Sequence, residues 1–129
     1  MAAKTDLWGE IVPTAEPTPL SILREQAALL GQKTKNLVEG KVETSATPNR
    51  SLVHSFTIVV PPLDFYEYEL FRVAHNPGSP YPVTVRDGTE QELSTEKEFV
   101  EWLKSKLSSP QTMKLIGTLL AQEHFPIEG

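Results

Sequence analysis

Two glutamates, Glu67 and Glu69, lie two residues apart inside the run Phe65-Tyr66-Glu67-Tyr68-Glu69-Leu70-Phe71. On a strand this spacing points both carboxylates to one side. Paired carboxylates can shift each other's pKa and divide acid and base work between them. No third group in the sequence is placed to join them, so a solvated pair on a sheet face is the plainer reading. The histidines are His54, His75 and His124. His54 falls on an apolar strand face, where a satisfied buried imidazole is expected before a catalytic base. His75 opens a turn, and His124 ends a helix behind Gln122 and Glu123. A metal site needs several such ligands to converge. No H-E-x-x-H spacing occurs, and no metal is expected.

Cysteine is absent, which removes thiol nucleophiles, Cys-ligated zinc and iron–sulfur clusters. There is no G-x-S-x-G elbow. Gly78 and Gly88 are isolated turn glycines, the latter in Arg86-Asp87-Gly88, so phosphate loops and dinucleotide fingerprints are missing. No cofactor is expected, and the balance leans away from an enzyme. Tyr66 and Tyr68 could stack on bases, as aromatics do on sheet-based RNA binders. The formal net charge of −5 argues against that. The nearest approach to a basic cluster is Lys33 with Lys35, beside Glu39, so nucleic acid is not an expected partner.

The elements that would position these residues can be read from periodicity. Of the 129 residues, 39% are hydrophobic and 22% charged, an ordinary composition for one domain. Residues 1–19 hold Pro13, Pro17 and Pro19 and read as an extended proline-containing arm. Its Leu7, Trp8, Ile11 and Val12 either pack onto the domain or leave Trp8 as an anchor for a partner. Residues 20–129 form the domain. A first helix has Thr18 as its cap and an inward stripe of Leu20, Leu23, Ala27 and Leu30. Four strands are expected over residues 37–45, 51–60, 65–74 and 81–87. Two helices follow: Thr95 with Glu98 has capping-box spacing, and Ser109-Pro110 restarts the chain as a second helix. Trp102 is expected to pack in the core.

The expected fold class is therefore α+β: a four-stranded antiparallel sheet in the order α-β-β-β-β-α-α, with helices packed mainly on one face. Period two assigns Tyr66, Tyr68, Leu70, Arg72 and Ala74 to the helix side. It assigns Phe65, Glu67, Glu69, Phe71 and Val73 to the other, an apolar face with an acidic centre.

That face motivates the functional expectation, a non-catalytic protein-binding module of chaperone-, immunity- or adaptor-like type. Phe65, Phe71 and Trp8 would anchor a partner, and Glu67 and Glu69 would select its basic groups. The partner is another protein or a second copy in a homodimer. One alternative is a small ligand-binding domain or enzyme with a pocket between sheet and helices, using His54, Tyr66, Tyr68 and Arg72. Another is a structural subunit of a larger assembly. The cysteine-free composition, the lack of a signal-like N-terminal segment and the lack of a long apolar run make cytoplasmic life, away from membranes, the default expectation.

Overall fold

Thr18 opens helix α1 (Pro19–Lys33) with reciprocal bonds. Its hydroxyl accepts from the Ser21 amide at 3.2 Å, and the Ser21 hydroxyl accepts from the Thr18 amide at 3.0 Å. Pro19 fits the first turn, where its missing N–H costs nothing. The computed structural model describes residues 5–87 and 90–124, with side chains as far as residue 122. The Gly88 turn, the His124 side chain and the tail beyond it lie outside the described residues.

Among the described residues, α1 is followed by β1 (Glu39–Ala46), β2 (Leu52–Val60), a 3-10 turn at Pro61–Leu63, β3 (Tyr66–Asn76), β4 (Ser79–Arg86) and β5 (Glu90–Leu93). Helices α2 (Glu96–Leu107) and α3 (Pro110–His124) complete the chain. The strands form one antiparallel meander in the order β1-β2-β3-β4-β5. The α+β class holds. The strand count is corrected from four to five, and the element order becomes α-β-β-β-β-β-α-α. The added strand, β5, has only Leu93 buried and carries Glu90 and Glu92 exposed. Such a charged, short edge strand lacks the β-branched, alternating signal that marks strands in sequence, and its charge discourages edge-to-edge pairing.

The helices share one sheet face. Leu23 and Ala27 of α1 pack with Phe99 and Leu103 of α2 over Phe56, Phe71, Val73, Val83 and Val85. Leu119 of α3 packs with Val38, Ile58 and Val60. In β2 the positions 56, 58 and 60 share a side, so both clusters lie on it. Close approach of α1 to β1 depends on Gly40. A Cβ there would meet the Cα and Cβ of Ala27 at 2.7 Å and the Phe56 ring at 3.1 Å.

A bulge in β3 changes which residues face the helices. Phe56 pairs with Phe71 and Thr57 pairs with Glu69, which leaves Leu70 as the extra residue. An extra residue reverses the alternation beyond it. Tyr66 and Tyr68 share a side with Val60 and Ile58, as expected, but Phe71 and Val73 join the helix side while Arg72 and Ala74 turn outward. Phe71 is 2% exposed and stacks at 5.5 Å on Phe56 and edge-on at 5.0 Å against Trp102. The expected outer aromatic Phe71 is thus a core residue, and the expected inner Arg72 is an outer one.

Candidate functional site

Because α1 lies over β1 and β2, and α2 reaches Phe71 through Trp102, the helix layer parts above β2 and β3. The result is an apolar cleft of about 740 Å³. Phe56, Ile58 and Leu70 form its floor, Ile22, Leu29 and Leu30 the α1 wall, and Val100, Leu103 and Leu107 the α2 wall. Met113 and Ile116 of α3 contribute to the far end. Leu29, Val100 and Met113 are exposed large apolar residues on this rim. The volume falls in the range of roughly 300–1,000 Å³ typical of ligand sites, which are mostly apolar with few polar groups. The Leu70 bulge matters here, because it lets the consecutive residues Leu70 and Phe71 both face the helices.

The charged residues of the cleft are ordered along it. Tyr81 sits where α1 and α2 both begin: its hydroxyl donates to the Pro17 carbonyl at 3.1 Å, and its ring lies 6.4 Å from Phe99. Burial, with the carboxylates of Glu96 and Glu16, pushes its pKa up to about 12, so it stays a donor. Pro17, Glu25 and Glu96 line this end of the cleft, while Lys33 and Lys104 line it further along the same helices. One end is therefore acidic and the other basic.

The residues singled out in sequence fall elsewhere. Lys41 donates to both carboxylate oxygens of Glu67 at 3.0 Å, and Arg72 Nε reaches both oxygens of Glu69 at 3.0 Å. Both carboxylates singled out in sequence, Glu67 and Glu69, thus already have cations on the outer face. Phe65 precedes β3 in a left-handed conformation, φ 56°, after Asp64 at φ 58°, and this turn leaves its ring exposed. Tyr66 and Tyr68 are each 45% exposed and line no part of the cleft. β4 pairs with β3 from Arg72 onward, so among the described residues the stretch from Tyr66 to Phe71 has a ladder partner on one side only. Trp8 stands exposed on the arm with Leu7, Ile11 and Val12.

His54 is 1% exposed and belongs to a chain of hydrogen bonds at the other end of the sheet. Thr44 Oγ1 lies 2.8 Å from its Nδ1, and its Nε2 lies 2.8 Å from Nε2 of His75, whose Nδ1 lies 2.8 Å from the Asn76 carbonyl. A carbonyl only accepts, so His75 Nδ1 carries a proton. In the tautomer in which His75 Nε2 is bare, it accepts from His54 Nε2–H, and His54 Nδ1 accepts from the Thr44 hydroxyl. Burial, His75 and the Arg24 guanidinium push the His54 pKa down to about 4, which keeps it neutral. His75 was expected in a loop, and its partnership follows from β3 running on to Asn76. Among the described residues no three His, Asp or Glu are grouped to hold a metal ion.

A pocket between sheet and helices is one of the sequence expectations, but none of the residues assigned to it there, His54, Tyr66, Tyr68 and Arg72, lines this cleft. Leu29 and Val100 flank the helical stripes rather than lie in them, so each widens an apolar arc that periodicity alone assigns to the core. Among the described residues no helix is long and apolar enough to cross a membrane. The chain matches no protein-family model, no curated protein and no solved structure.

Proposed function

We propose that this chain is a non-catalytic protein-binding domain of the chaperone, immunity or adaptor kind, and that it binds an apolar polypeptide segment in the cleft between α1 and the α2–α3 pair. The observation that carries this reading is the 740 Å³ trough with Leu29, Val100 and Met113 exposed on its rim. Apolar rims around a groove match the way amphipathic helices are taken up, with anchors at i, i+3, i+4 and i+7. The groups that could do chemistry are engaged elsewhere: Glu67 with Lys41, Glu69 with Arg72 and His54 with Thr44 and His75. Titrating the protein with an amphipathic Leu/Phe-rich helical peptide tests the reading. Met113→Glu and Val100→Glu should weaken capture by about tenfold or more each, the scale of a lost apolar anchor. Equal binding by both variants would contradict it.

A second reading concerns the edge of β3. Its unladdered stretch, flanked by the rings of Phe65, Tyr66 and Tyr68 with Glu67 and Glu69 on the outer side, suits strand addition by an extended partner. In this form the partner is recognised through main-chain bonds and aromatic contact, not through free carboxylates. Tyr68→Lys should reduce such capture and leave cleft binding intact.

A further inference from the structure

The cleft has a counterpart in the same chain. Leu7, Trp8, Ile11 and Val12 are 88%, 81%, 73% and 69% exposed, the largest exposures among the described large apolar residues. The tip is locally shaped: the Trp8 amide donates to Asp6 Oδ1 at 2.9 Å, and Gly9 takes a left-handed φ of 71°. This places Leu7 and Trp8 at the head of an arm whose base is fixed at the cleft by the Tyr81–Pro17 bond. With bends at Ala15 and Glu16, the tip still stands off its own domain.

We propose that the cleft takes the Leu7–Val12 tip of a second copy, in a reciprocal two-fold dimer. The inference rests on the reading of the cleft as a binding site and names its occupant. Three observations support it. The first is charge. From Asp6 to Pro17 the arm carries Asp6, Glu10 and Glu16 and no cation. Its own base sits at the Glu25–Glu96 end, which repels an acidic tip, whereas Lys33 and Lys104 further along attract one. The second is reach. At ~3.3–3.6 Å per residue, the five steps from Val12 to Pro17 span at most about 18 Å once the bends at Ala15 and Glu16 straighten, enough to cross between adjoining domains. Pro13 and Pro17 restrict it, which favours exchange over a tight return. The third is area. A buried Trp contributes about 150–250 Å². Two such arms with their aliphatic neighbours and the matching cleft walls approach the ~1,200–2,000 Å² of a specific interface.

The experiment uses the full chain in sedimentation equilibrium over a range of concentrations, with two variants at exposed positions that leave the core intact. Leu7→Ser/Trp8→Ser disables the arm, and Met113→Glu disables the cleft. The wild type should be a dimer. Each variant should weaken dimerisation by about 30-fold or more, the scale of a truncated hot spot. An equimolar mixture should form a heterodimer tighter than either homodimer, since one arm and one intact cleft remain between them. A wild-type monomer, or a dimer indifferent to Leu7→Ser/Trp8→Ser, overturns the proposal. So does a monomer whose Trp8 emission shifts red in Met113→Glu, because the occupant is then the molecule's own arm. Anilinonaphthalene sulfonate separates this failure from that of the cleft reading. Dye bound by the arm variant and lost in Met113→Glu leaves the cleft standing, and dye bound by neither removes both.

Discussion

His54 shows how one buried imidazole ties stability to pH. Its pKa falls from 6.5 unfolded to about 4 folded, through burial, His75 and Arg24. Below pH 6.5 the unfolded chain binds a proton that the native chain refuses, so stability is full above that value and declines as pH falls toward 4. The loss should approach about 3 kcal/mol across that window, at ~1.4 kcal/mol per pH unit. Urea unfolding at pH 7 and 4.5 should show it, and His54→Gln should flatten this part of the slope. An unchanged slope would place the acid sensitivity elsewhere. Phe71 gives a second residue-level expectation. Enclosed by Phe56 and Trp102, it should cost about 3–5 kcal/mol when cut to Ala, read as a shifted denaturation midpoint. Glu67→Ala and Glu69→Ala should leave that midpoint near wild type, because exposed ion pairs contribute little.

At the scale of elements, the decisive feature is the fit of α1 on β1. Gly40→Ala would drive a Cβ into Ala27, and the backbone contact cannot yield as a flexible side chain would. Its cost should be about 1–3 kcal/mol by chemical denaturation; a neutral result would mean that α1 can ride higher on the sheet. Much of this architecture is legible in sequence. Thr18 and Thr95 mark helix starts, and the Val-, Ile- and Phe-rich run Leu52–Val60 marks an inner strand. Two features are not legible, for distinct reasons. β5 is held by pairing with β4 and by one buried side chain, Leu93, so local propensity carries almost no trace of it. The bulge at Leu70 arises from pairing between strands, and a period-two count continues past it unaware. That slip exchanged Phe71 with Arg72, which took an aromatic anchor from the outer face and set a cation beside Glu69.

For the molecule as a whole, the division of labour lies between the two sides of the sheet. The outer side pairs Glu67 with Lys41 and Glu69 with Arg72, and the helix side contains a trough that its own helices do not close. On the proposed reading, self-recognition and recognition of another polypeptide are two uses of one surface, and competition between them is a consequence. The most direct measurement is a titration of methyl-labelled protein with the amphipathic Leu/Phe-rich peptide, followed by NMR. The expected result is shifts at the methyl groups of Leu29, Leu30, Val100, Met113 and Ile116, with those of Leu7, Ile11 and Val12 moving as the arm is displaced and the β3 edge undisturbed. Shifts centred on the residues from Phe65 to Glu69 and their neighbours, with the cleft methyl groups unmoved, would contradict it.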